Sequence, residues 1–183
     1  MKIEEKEFLL KTGEVLRVYC PTSADAQGLA DNYNITAGES DNLSTGEGEM
    51  VKTPEDEIEW LKRYEDESNR SCVLVGAIDG KIVGIAEISQ LSKKDRLKHR
   101  CDFGISIQKA HWRKGIATCL MKSLFDYAKV AGFEQVELEV VASNDAAYAL
   151  YQKFGFEKTG YTKNGLKYND GSYADLVYMI KTL

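Results

Sequence analysis

The chain holds only two histidines and four cysteines in 183 residues, and none of them stands at metal-ligand spacing. Cys20, Cys72, Cys101 and Cys119 form no C-x-x-C pair and do not cluster with His99 or His111, which argues against both a zinc site and a disulfide framework. No metal is expected. Long apolar runs are missing too, because charged residues interrupt every hydrophobic stretch within a few positions, so no segment suits a bilayer crossing. The opening Met1-Lys2-Ile3-Glu4-Glu5 lacks the apolar core of a secretory signal; a cytoplasmic protein with no membrane partner is expected. Basic charge is not in excess: 24 Lys and Arg against 29 Asp and Glu give a net charge of −5, which argues against a general nucleic-acid binder. The one basic run, Lys93 to Arg100, reads as a solvated turn between strands or as a contact for phosphates or an acidic molecule. No G-x-x-x-x-G-K-[ST] occurs, which argues against a P-loop hydrolase, and neither an internal repeat nor a low-complexity tail is present.

What is present suits one substantial core. At 43% apolar composition the chain is long enough for a single domain over residues 1–183 and short for two. Ile3 to Leu10 and Val15 to Cys20 read as a hairpin or an arm followed by a core strand. Thr22 or Ser23 caps a helix with Ala26, Leu29, Ala30 and Tyr33 on one stripe, and a polar, glycine-rich loop is expected from Ala37 to Val51. Thr53-Pro54-Glu55-Asp56-Glu57 opens a second helix, its acids in the first turn, that Ile58, Leu61 and Tyr64 or Glu65 carry to about Glu67. Ser71 to Ile78 and Lys81 to Gln90, joined at Asp79-Gly80, form the clearest hairpin. A strand from Arg100 to Ile107, a helix from Gly115 to about Ala131, a strand from Val136 to Val141, a helix from Ala146 to Phe154 and two final strands complete the chain.

Two segments carry chemistry. Trp112-Arg113-Lys114-Gly115-Ile116-Ala117 is a basic, glycine-containing turn that opens a helix. Its unpaired N–H groups and the positive end of the helix dipole favour an anion, although an ordinary strand-to-helix loop has the same outline. Downstream stands Asn144-Asp145-Ala146-Ala147-Tyr148-Ala149-Leu150-Tyr151-Gln152-Lys153-Phe154-Gly155-Phe156, in which Asn144, Tyr148 and Tyr151 at i, i+4 and i+7 share one helical face.

Together these segments resemble the GNAT N-acetyltransferase superfamily. The first is similar to its Q/R-x-x-G-x-G/A acyl-CoA signature, with Trp112 where Gln or Arg is usual; the second is similar to its N-x-x-A-x-x-L-Y-x-x-x-G-F segment. The resemblance covers Val73 to the C-terminus and weakens before it. It implies an α+β (mixed α/β) fold, a mostly antiparallel twisted sheet splayed at the CoA site with helices on both faces. The acetyl-CoA core then spans residues 73–158, and acceptor-side elements fall mainly in 22–67 and 160–175. Acetyl-CoA is implied as co-substrate and an amine, either a small molecule or a protein N-terminus, as acceptor. Dimerisation is common among such proteins.

By the same resemblance, the backbone of Ile105, Ser106 and Ile107 pairs with the pantetheine arm. The N–H groups of Lys114, Gly115, Ile116, Ala117 and Thr118, with Arg113, hold the diphosphate, and Asn144 and Tyr148 meet the CoA arm. Tyr151 is the acid for the departing thiolate: thiol and phenol have reference pKa values of about 8.5 and 10. For the base, Asp102 and Glu87 both stand on strands beside the thioester. Glu39 and Asp41 in the first long loop, and the final hairpin, are the expected acceptor contacts. A catalytically weak acyl-CoA sensor, which would keep the cradle but have no need of Tyr151, is the alternative reading.

Overall fold

The computed structural model describes residues 3–66 and 68–183. Eight strands make one sheet: β1 (Lys6–Leu9), β2 (Val15–Tyr19), β3 (Cys72–Ile78), β4 (Lys81–Gln90), β5 (Arg100–Ile107), β6 (Gln135–Val141), β7 (Glu157–Lys167) and β8 (Tyr173–Thr182). Their spatial order is β1-β2-β3-β4-β5-β6-β8-β7. Asp79 (φ 49°) and Gly80 (φ 75°) both take positive φ, the requirement of a type I′ turn, whose twist matches that of the flanking β3 and β4. All seven residues of β3 are buried, as befits a strand covered on both faces.

The helices α1 (Ala26–Glu39), α2 (Pro54–Leu61), α3 (Ile116–Val130) and α4 (Asp145–Lys153) divide between the two faces. On one face Leu120 and Leu124 of α3 pack with Leu74, Ile88, Phe103, Leu138 and Met179 of the sheet, joined by Tyr151 of α4. On the other, Leu29 of α1 and Leu61 of α2 cover Val73, Val75 and Ile82. Each such fully buried side chain contributes about 1.5–3 kcal/mol. None of the helices is long and apolar enough to cross a membrane, among the described residues.

The ends of two helices differ from the sequence expectation, and β7 and β8 approach each other more closely along the chain, to Lys167 and from Tyr173, than the expected Thr162 and Asp175. α1 runs on through Glu39 rather than yielding to a loop at Ala37, because Ala37 is buried and Thr36 Oγ donates back to the Asn32 carbonyl at 2.9 Å. α2 begins as expected, with Thr53 and Asp56 in a reciprocal capping box and Pro54 in the first turn. It then tightens into a 3-10 turn at Lys62–Tyr64; the expected end at Glu67 lies outside the described residues. Its inward face also differs: Glu57 and Leu61 are buried while Ile58 is 39% exposed.

The sheet is antiparallel throughout except between β5 and β6. That parallel pairing involves only Arg100, Cys101 and Asp102 against Gln135, Val136 and Glu137. The base of the junction is fastened by Arg100, whose two guanidinium nitrogens bond the two carboxylate oxygens of Glu137, one of them at 2.7 Å. Beyond Asp102 the strands part, leaving a wedge between Phe103–Ile107 and Leu138–Val141 in the middle of the sheet.

Candidate active site

The wedge exposes peptide groups that a continuous sheet would consume. Strand β5 is paired to β4 along one edge from Cys101 to Ile107, but past Asp102 its other edge has no partner strand. An extended, amide-bearing arm could add there as an extra strand.

At the end of β5 the chain turns into α3 through Trp112, Arg113 and Lys114. Gly115 caps α3 at φ 96°, a conformation that a residue with a Cβ adopts only under strain, and nothing lies within 4 Å of where that Cβ would be. Among the described residues, no backbone hydrogen bond is donated by the N–H groups of Arg113 through Thr118. Such a turn is chemically suited to hold an anion. Trp112, in the unusual position, has a definite job: its indole N–H donates to the carbonyl of Ile107 at 2.7 Å, tying the turn to the end of β5. The two basic residues differ. Lys114 is ion-paired with Glu14 of the β1–β2 turn at 3.0 Å, whereas the exposed Arg113, at φ 62°, makes no ion pair among the described residues.

On the α3/α4 face of the wedge, Asn144 caps α4 by accepting from Ala147 N–H at 3.2 Å. Tyr151 is 8% exposed, its ring edge-on to Phe103 at 6.3 Å and tilted against Phe156 at 5.8 Å. Burial pushes its phenol up to about 12, and among the described residues its hydroxyl has no hydrogen-bond partner. Tyr148 is half-buried and packs on the same core. Ala147, Leu150 and Phe154 pack against that core while partly buried, and the fully inserted residue of α4 is Tyr151.

The opposite face carries a cleft of about 360 Å³, where Ile85 and Glu87 of β4 and Gly104, Ile105 and Ser106 of β5 meet Tyr33, Met50, Lys52, Glu57 and Trp60. A Cβ at Gly104 would lie 3.8 Å from the Glu87 carboxylate and 3.7 Å from its Cγ, ordinary contact distances, so the acid rests beside the β5 backbone. Behind it the Tyr64 hydroxyl donates to Glu87, and the Tyr64 ring is fixed edge-on by Trp60 at 5.1 Å. Burial and the Glu87 charge push the Tyr64 phenol up strongly, so it is a donor at every working pH.

Asp102 lies on this face too, opposite Ser89, but does not line the cleft. It keeps solvent contact, yet partial desolvation, reinforced by the charges of Glu139, Glu87 and Glu137, pushes it up to about 6. Glu39 and Asp41 do not line the cleft either. Glu39 accepts from the Lys109 N–H at 2.6 Å, and the Asp41 carbonyl accepts from the Tyr168 hydroxyl at 2.9 Å, joining the last hairpin to the loop after α1. The cleft residues that the sequence did not single out are Tyr33, Lys52, Glu57 and Trp60, and Tyr64 behind Glu87 is another. Glu57 read as one more first-turn acid, and the Trp60–Tyr64 spacing was its only local signal.

A sheet split between two strands, with an N–H-rich turn at one end of the split and an acid-containing cleft across it, offers room for an extended anionic ligand and a second molecule facing it. Residues 39–156 match the acetyltransferase (GNAT) family, and the chain belongs to that family. It is an N-acetyltransferase with the α+β fold of that group. It is 32% identical over 134 residues to the L-amino acid N-acetyltransferase AaaT of Escherichia coli, covering 72% of this chain and 79% of that protein. The streptothricin acetyltransferase of Streptomyces lavendulae is 34% identical over 96 residues, 52% of this chain and 49% of that protein. The crystal structure of a GNAT-family acetyltransferase from Streptococcus pneumoniae superposes with a TM-score of 0.85 at 27% identity, over 92% of this chain and 99% of that one. The chain spans less than half the length of the mammalian relatives it matches, such as rat N-acetyltransferase family 8 member 3 (41%).

Proposed function

We propose that the protein transfers the acetyl group of acetyl-CoA to a small primary amine by direct attack within a ternary complex. The observation that carries this reading is the wedge: β5 and β6 part after Asp102, and the open strand edge leads to the unpaired N–H groups of Arg113–Thr118. In this reading the pantetheine arm pairs with β5 at Ile105–Ile107, next to the Asn144 and Tyr148 side chains. The diphosphate lies on the N–H groups of Lys114 to Thr118 with Arg113 as the available cation, Lys114 serving chiefly to hold the cradle to Glu14.

The thioester then falls near Gly104–Ser106, with Glu87 on one face of the wedge and Tyr151 on the other. Glu87 takes a proton from the acceptor ammonium, directly or through a water. The neutral amine attacks the thioester carbonyl, a C–N bond forms, and the oxyanion is met by a β5 N–H. As the C–S bond breaks, Tyr151 donates a hydrogen bond to sulfur. A phenol near 12 does not hand its proton fully to a thiolate whose conjugate acid is near 8.5, so the role is charge stabilisation, with the proton arriving from solvent. The nitrogen sheds its second proton, and one proton is released per acetyl transferred.

Glu87 is preferred to Asp102 as base because it lines the cleft and is held by Tyr64, while Asp102 does not reach the cleft. The relatives are named for acceptors as different as L-amino acids and streptothricin, so the acceptor must be read from this chain's own cleft. Chromatographic detection of CoA released from acetyl-CoA, with and without pooled amino acids, polyamines, aminoglycosides and peptides, tests the reading; chromatography avoids the background of four cysteines with a thiol dye. Acceptor-dependent release supports it. Tight acetyl-CoA binding with no release from any pool would favour a CoA sensor instead.

A further inference from the structure

The cleft holds two charges that the chemistry above does not use. Glu57, in the first turn of α2, is 5% exposed and lines the cleft, and among the described residues its carboxylate has no hydrogen-bond or ion-pair partner. Helix-dipole stabilisation accounts for an acid in that turn but not for its burial. The exposed Glu55, and Asp56 in the capping box, already satisfy that end of the helix. Leaving an acid desolvated and unpaired is costly, and here burial holds the carboxyl above its ordinary range. A bound cation would remove that cost.

The second charge is Lys52. Its backbone is clamped to α1 by Asn34, which accepts from the Lys52 N–H at 2.9 Å and donates to its carbonyl at 2.9 Å. Its ammonium stands 5.6 Å from the centre of the Tyr33 ring and forms no ion pair among the described residues. Its charge reaches Glu57, yet the two do not pair. The rest of the lining is largely apolar and aromatic, with Tyr33, Trp60, Met50 and Ile85 beside the hydroxyl-bearing Ser44, Thr45 and Ser106.

We infer that the acceptor is a small zwitterion, an amine carrying its own carboxylate on an apolar body, with its ammonium held between Glu57 and Glu87 and its carboxylate on Lys52. The inference rests on the cleft being the acceptor site and narrows that reading. A polyamine or aminoglycoside would put a surplus cation against Lys52. A protein N-terminus has its α-carboxyl tied up in a peptide bond and offers Lys52 no anion. A volume of about 360 Å³ is at the small end of ligand sites and is enough for a single amino acid.

The test compares three matched sets of probes under saturating acetyl-CoA: the twenty L-amino acids, their carboxamides, and the amines obtained by decarboxylating them. Spermidine and a tetrapeptide serve as the competing classes. At least one free amino acid should exceed its own amide and amine about tenfold or more in kcat/KM. Lys52→Gln should bring that ratio close to one by weakening only the free acid. Glu57→Gln should raise KM for the free acid about tenfold or more, leave the acetyl-CoA KM unchanged, and leave the melting temperature at pH 7.5 equal or higher, since it removes an unpaired buried charge. A purely structural Glu57 would lower the melting temperature and spare KM. Preference for amides, for the tetrapeptide or for spermidine overturns the inference, as does an unchanged KM in both variants, while acetyl transfer itself stands. Failure of acetyl-CoA to bind at all overturns the transfer reading and this inference together.

Discussion

The Tyr64 hydroxyl donates to the Glu87 carboxylate from behind the cleft, so an aromatic residue of the 3-10 turn after α2 fixes the rotamer of an acid on strand β4. Trp60 holds the Tyr64 ring in turn, and neither contact depends on a ligand. Tyr64→Phe keeps the ring packing and removes only the donor. We expect kcat to fall roughly 3- to 30-fold, less than the full worth of a hydrogen bond to a charged group because Tyr64 acts only through Glu87, with the acetyl-CoA KM unchanged. Steady-state kinetics decide it, and an unaltered kcat would separate Glu87 from proton removal.

Tyr151→Phe tests the leaving-group side. The ring stays packed against Phe103 and Phe156, so the melting temperature should hold, while loss of a donor to developing thiolate charge should lower kcat about 10- to 100-fold. Acetyl-CoA affinity, measured by calorimetry, should barely move. A wild-type kcat would reduce Tyr151 to a core residue.

Gly115→Val tests the cradle. The substitution meets no protein atom within 4 Å, but it forces a β-branched residue into φ 96° and puts methyl groups beside the unpaired N–H groups. A stability loss of more than about 1 kcal/mol and at least about tenfold weaker acetyl-CoA binding are expected. Unchanged affinity in the folded variant would move the diphosphate elsewhere.

Asp102 makes a pH-dependent statement. Its folded pKa of about 6 lies above the ordinary carboxylate value, so the folded chain binds the proton more tightly than the unfolded one. The stability this brings is fully present below about pH 4 and is lost as pH rises through 6. Asp102→Asn should therefore raise the melting temperature at pH 7–8 relative to wild type and not at pH 4. Because the carboxylate keeps solvent contact, the gain should be no more than about 1 kcal/mol, or about 2–4 °C. Equal melting temperatures at both pH values would mean that the neighbouring acids do not disturb it. If Asp102 rather than Glu87 were the base, this variant would also lose turnover.

Local signals were legible wherever chemistry acts over a few residues. The Asp79-Gly80 turn, the Thr53–Asp56 capping box and the glycine at the start of α3 each follow from backbone angles and orphaned N–H groups that short spacings reveal. Glu57 and Ile58 mark where that legibility ends. Hydrophobicity argues for Ile58 inside, but the rotation of α2 about its axis is set by packing of Leu61 beneath Val73 and Val75, and that turns Glu57 inward. No i, i+4 pattern contains this information, because the deciding contacts come from a strand more than ten residues away.

The sequence by itself determined most secondary elements, the family and the glycine turn that opens α3, since each depends on a contiguous run of residues. Only the tertiary structure decided that β5 and β6 separate after Asp102, that Glu87 rather than Asp102 faces the cleft, and that Lys52 and Glu57 stand unpaired within it. Those are relations among strands and helices distant in the chain, and they exist only once the two faces of the sheet have been covered.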